Sequence, residues 1–101
     1  MAQFDVYKNP RGGAYPLLVD VQSEVLARLA TRAVVPMMAL KRYGKPISRL
    51  NPTTTVGKTE YVLVFQELAA IPAASLVEHV ASLASRRDEL IRALDLLFTG
   101  L

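Results

Sequence analysis

Cysteine is missing from this 101-residue chain, and histidine occurs once, at His79. Without cysteine there is no disulfide framework, no thiolate ligand for zinc and no thiol nucleophile, which is consistent with a cytoplasmic setting. His79, between Glu78 and Val80, has no second imidazole to complete a metal set and is assigned no role. No apolar run reaches the ~18 residues that span a bilayer, and Gln3 to Lys8 lacks a signal-peptide pattern. A cytoplasmic protein with no membrane partner is expected. Gly12 and Gly13 lack the following lysine and hydroxyl residue of a phosphate loop. The acids Asp5, Asp20, Glu24, Glu60, Glu67, Asp88, Glu89 and Asp95 are scattered, with no spacing that sets two carboxylates across a bond. No catalytic residue, metal or cofactor is expected, and the chain is not read as an enzyme. One route to chemistry stays open, because Arg, Asp and Thr side chains alone can serve a metal-free ribonuclease.

What is present is apolar and mildly basic. Hydrophobic residues make up 51% of the chain and the mean hydropathy is +0.25. A single domain, 1–101, of this composition leaves much apolar surface exposed as a monomer, so a homodimer is expected. Twelve Lys and Arg against nine Asp and Glu give +3 and a pI near 9.5. That excess suits an acidic partner.

The clearest local signal is an amphipathic helix from Ser85 toward Leu101. Ser85 and Asp88 have capping-box spacing, and Leu90, Ala93, Leu94 and Leu97 recur on one face of a 3.6-residue period. Asp88 and Arg92 are an i,i+4 pair in the favourable order, with Asp95 beyond, so that side faces water. Gly100 is a candidate αL terminator. Phe98 and Leu101 then either cover the sheet or form a presented apolar tip.

Upstream, residues 3–7 alternate as a half-buried strand, and Tyr15 to Val21 is dense enough to be a central one. The two form a hairpin with a long, basic, flexible tip at Lys8 to Gly13, read as either a solvated loop or a contact surface. Gln22 to Thr31 reads as an irregular connection. Ala33 to Met38 is β-prone, but Pro36 cannot donate to a ladder, which predicts an edge strand or a bulge. Lys41, Arg42, Tyr43 and Lys45 form a second basic loop, suited to phosphate or to an acidic peptide. Ile47 to Asn51 and Thr53 to Val56 read as short strands split by Pro52, and Gly57 with Lys58 turns into a strand over Glu60 to Phe65. Gln66 to Ala70 extends the pairing, Pro72 ends it, and Ala73 to Leu83 carries no readable signal. The fold class is mainly β with one C-terminal α-helix, a bent antiparallel sheet or partly open barrel.

In this order the pieces resemble the CcdB family of bacterial toxins over essentially the whole chain. The matching stretches are Gln3, Phe4 with Val6, Tyr7; Leu17 to Ser23, reading LLVDVQS; Val34, Val35, Pro36; Pro52 with Val56, Gly57; Ile71, Pro72; and Ala93, Leu96, Phe98, Gly100. The resemblance implies a homodimer of SH3-like barrels that wedges into the DNA gyrase A subunit and traps gyrase on cleaved DNA. It implies a gyrase-binding surface of Ser23, Val25, Phe98, Thr99, Gly100 and Leu101. A CcdA-like antitoxin with a disordered acidic segment would meet Lys8, Asn9, Arg11, Lys41, Arg42, Tyr43 and Lys45, and operator DNA would be bound only through the antitoxin complex. Two departures stand out. Thr99 occupies the position of a family tryptophan that stacks on a gyrase arginine, an anchor of a kind that contributes about 2 kcal/mol or more. Asp95 replaces an uncharged amide. A relative that binds antitoxin but poisons weakly, and a ribonuclease on the same fold, remain as alternatives.

Overall fold

The computed structural model describes residues 2–101. Seven strands form one antiparallel, curled sheet: β1 (Asp5–Lys8), β2 (Leu17–Asp20), β3 (Thr31–Ala39), β4 (Thr53–Val56), β5 (Thr59–Leu63), β6 (Ala69–Pro72) and β7 (His79–Ser82). A single helical turn, α1 (Leu40–Tyr43), follows β3, and the long helix α2 (Arg87–Thr99) closes the chain. The order is β4-β5-β3-β2-β1-β7, with β6 also on β3. The expected hairpins β1–β2 and β4–β5 both form.

β3 is central and its register with β2 runs unbroken through Pro36, which corrects the edge strand or bulge expected from that residue. It pairs with β2 along one side and with β6 and then β5 along the other. The Pro36 carbonyl accepts from Val64 N–H at 2.9 Å on the side away from β2, and its nitrogen faces the same way. There β5 has ended at Leu63 and β6 begins only at Ala69, with a 3-10 turn, Phe65–Glu67, between them. A proline without a donor is tolerated in this central strand because it meets the break between two partners.

β2 is buried on both faces, which suits its consecutive Leu17, Leu18 and Val19. One face contributes Leu17, Val19 and Val21 to the main core, with Val35, Met37, Leu63 and the Leu90 and Ala93 face of α2. The other contributes Leu18 to a smaller cluster with Tyr7, Val34 and Leu76. Burying Leu90 alone stabilises by about 1.5–3 kcal/mol, and Leu94 and Leu97 pack at the core margin as their spacing requires.

Three further expectations are corrected. The first strand starts at Asp5, because buried Phe4 adopts a left-handed backbone (φ 72), with its N–H on Asp20 O and its carbonyl on Leu83 N–H. Such a conformation in a bulky residue costs on the order of 1–3 kcal/mol and persists only where neighbours hold it. Ile47 to Asn51 is a turn: Asn51 N–H donates to Ile47 O (2.9 Å), Ile47 N–H to Asn51 Oδ1 (3.0 Å) and Arg49 has φ 67. The Ser85 capping box does not form. Ser85 lies within a 3-10 turn, Ala84–Arg86, and Arg86, at the N-cap, gives no side-chain cap. Arg86 instead bonds Glu89 Oε1 (2.6 and 3.0 Å) and, through Nη1, Thr53 O (2.5 Å), so the sheet sets where α2 begins. Among the described residues no ion pair joins Asp88 to Arg92, although both are exposed as expected. Ala73 to Leu83, unreadable in sequence, forms a 3-10 turn (Ala73–Ser75) and β7, which pairs with β1.

Candidate functional site

The LLVDVQS stretch folds the turn that carries Ser23 and Val25. Asp20, wholly buried, accepts from Arg32 Nε (2.9 Å) and Nη2 (2.7 Å) and caps Gln22 N–H (3.0 Å). Arg32, equally buried, reaches Gln22 O through Nη2, and Gln22 Oε1 takes the Ala33 N–H (2.9 Å). The sequence carries no signal for this pair, since an exposed Arg–Asp pair and a buried one look alike along the chain. Among the described residues Arg32 Nη1 has no hydrogen-bond partner, so the pair is unevenly satisfied. Ser23 Oγ then accepts from Val25 N–H (3.2 Å) at the start of a 3-10 turn, Glu24–Leu26. Val25 is left 90% exposed.

The second half of the predicted surface is the end of α2. Gly100 takes the left-handed cap (φ 76) that costs glycine nothing, and its N–H donates to Leu96 O (3.1 Å). Phe98 is 68% and Leu101 87% exposed, so these side chains do not cover the sheet. The Thr99 hydroxyl folds back onto Asp95 O (2.7 Å).

Turn and tip do not form one patch within a chain. Gln3 N–H donates to Glu24 Oε1 (3.3 Å), and Gln3 Oε1 accepts from Arg87 (2.7 Å), so the turn lies by the amino-terminal end of α2. The tip is at the other end of this 13-residue helix, roughly 18 Å along its axis.

The two basic loops flank a single turn, Phe65–Glu67. Asn9 organises the first: its Nδ2 donates to Tyr15 O (2.7 Å) and its Oδ1 accepts from Arg11 N–H (3.0 Å). Lys8 pairs with Glu78 (3.3 Å), both well exposed. Arg11 and Glu67 line a groove of about 590 Å³ whose apolar floor includes Leu18, Val34, Pro36 and Ile71. Beside Glu67, Gln66 donates to the Tyr43 hydroxyl at the end of α1 (3.0 Å), which brings the second loop to the same turn. Lys41, Arg42 and Lys45 are exposed. Lys58, read from sequence only as a turn residue, lines a cavity with Lys41. Near the groove's small core, burial pushes the Tyr7 hydroxyl pKa up, with Asp5 and Asp20 acting in the same sense and Arg32 opposing.

No helix among the described residues is long and apolar enough to cross a membrane. A curled antiparallel half-barrel with one terminal helix and an exposed apolar tip defines a CcdB-like architecture. Residues 3–100 match the family described as CcdB protein, and the chain belongs to that family. It is therefore a toxin of a toxin–antitoxin system.

Proposed function

We propose that this toxin acts as a homodimeric wedge on the DNA gyrase A subunit, trapping gyrase on cleaved DNA while contributing no chemistry of its own. The observation that carries this reading is the exposed tip. Phe98 and Leu101 stand in water at the end of a capped helix, where covering each side chain is worth about 1.5–3 kcal/mol. The exposed Leu26 and Leu29 supply apolar surface for a second copy. A two-fold pairing then gathers turns and tips around one axis, completing a surface that a single chain divides between the ends of α2. The groove and its basic flanks suit an acidic antitoxin segment that folds on binding. Operator DNA is then met only through that complex.

A second reading, a CcdB-fold protein that binds antitoxin but poisons weakly, is favoured by one observation. Thr99 offers no aromatic face, and its hydroxyl is committed to Asp95 O. The deciding assay incubates supercoiled plasmid with gyrase from the source organism, ATP and this protein. Dose-dependent, gyrase-linked linear DNA is expected. Its absence with a folded dimer favours the second reading, and Thr99→Trp should then restore cleavage. Degradation of purified RNA without gyrase would instead identify a ribonuclease.

A further inference from the structure

Three side chains close a hydrogen-bonded ring beside the basic turn. The Tyr43 hydroxyl donates to Asn51 Oδ1 (3.2 Å), Asn51 Nδ2 donates to Gln66 Oε1 (2.7 Å), and Gln66 Nε2 donates back to the Tyr43 hydroxyl (3.0 Å). Each member gives once and accepts once, so the bonds run in one sense and polarise one another favourably. Asn51 is buried and uses its whole side-chain capacity. Its Oδ1 also accepts from Ile47 N–H (3.0 Å), and its Nδ2 also donates to Leu63 O (3.2 Å).

These bonds join segments that the sequence keeps apart. Asn51 closes the turn after the basic loop, Leu63 ends β5, and Gln66 sits in the 3-10 turn whose Glu67 lines the groove. Tyr43, the last residue of α1, follows the exposed Lys41 and Arg42 directly, and Lys45 lies two residues on. Its hydroxyl donates one bond and accepts another within the ring, so this aromatic anchors the loop.

We infer that Asn51, Tyr43 and Gln66 are a latch that fixes the basic turn carrying Lys41, Arg42 and Lys45 to the Phe65–Glu67 turn, so that these cations are held in one arrangement for an acidic peptide. This rests on the proposed reading of the basic turn as a contact for an acidic partner. Asn51, Tyr43 and Gln66 are positioning residues and the cations make the contact. Holding the turn in one conformation before binding removes part of the ordering cost that association must otherwise meet. Opening the latch leaves every charge in place but spreads it over more conformations, so affinity falls while salt dependence persists.

The test measures fluorescence anisotropy of a labelled, Glu- and Leu-rich synthetic peptide against the full chain over a series of salt concentrations. Three proteins are compared with the wild type: Tyr43→Phe, Gln66→Met and the charge-neutralised triple variant Lys41→Gln, Arg42→Gln, Lys45→Gln. Gln66 is exposed, so Gln66→Met keeps the test valid even where Tyr43→Phe loosens the fold. Both latch variants should bind on the order of fivefold more weakly, from lost preorganisation, with an unchanged salt slope. For Gln66→Met the melting temperature should stay near wild type while amide exchange quickens across residues 41–51. A merely structural role would leave affinity untouched at that melting temperature. Wild-type affinity in both latch variants, alongside weakened binding by the triple variant, overturns the latch alone. Salt-dependent binding that survives in the triple variant, or that is absent in the wild type, overturns the reading of the basic turn and the latch with it.

Discussion

The tip of α2 and the basic turn are both exposed, yet they are held in opposite ways. Among the described residues the tip makes hydrogen bonds only within its own helix, from Gly100 N–H to Leu96 O and from Thr99 to Asp95 O. The basic turn is tied through Tyr43, Asn51 and Gln66 to β5 and to the turn beside the groove. An apolar tip needs little besides a stable helix beneath it, because the hydrophobic effect is non-directional. A charged surface that must meet a partner's charges in register depends on a fixed backbone, and buried polar bonds supply that directionality. Changes at the tip should therefore separate function from stability, whereas changes beneath the polar regions should not.

Removing residues 99–101 tests that separation most sharply. Toxicity should be lost entirely in a growth assay, while the melting temperature and the assembly mass measured by light scattering barely move. Substantial unfolding would break the contrast, because it would mean that the tip supports the sheet after all. Asp20→Ala probes a second turn held by buried polar bonds, since Asp20 sits beneath the Val25 turn and its loss leaves the buried Arg32 without its counter-charge. Urea denaturation should register a loss of about 3–5 kcal/mol, the usual cost of removing one partner of a buried pair. A loss near zero would mean that water reaches Arg32 and that the turn is as loosely held as the tip.

The smallest effect concerns pH. Because burial raises the Tyr7 pKa in the folded chain, the unfolded chain releases this proton first, from about pH 10 upward. Stability is unaffected by this group below that pH and declines above it, until pH passes the folded value. Tyr7→Phe should flatten that part of the alkaline unfolding profile followed by circular dichroism. An unchanged slope would assign the decline to another group.

Legibility differed between the two regions for the same physical reason. The tip could be read from residues because a 3.6 period, a glycine cap and a terminal apolar pair are local features. The basic loops were legible as charge, but their convergence on the Phe65–Glu67 turn was not. Gln66 and Tyr43 are 23 residues apart. Ile47 to Asn51 resembled a strand because its side-chain pattern does not reveal that Asn51 folds back onto Ile47 N–H. Val25 carried a resemblance-based assignment, whereas the Asp20–Arg32 pair that supports its turn had no signal at all.

Residue order alone thus determined what depends on neighbours along the chain: the β1–β2 and β4–β5 hairpins, the apolar face and αL cap of α2, and the motifs that mark the family. Tertiary structure decided what depends on partners far along it. It made Pro36 central by splitting the opposite side of β3 between β5 and β6. It started α2 at Arg87, where Arg86 reaches Thr53 across 33 residues, and it buried Arg32 on Asp20, 12 residues away. Periodicity and backbone preference are written locally, but a polar group is satisfied only by the group that folding brings to it.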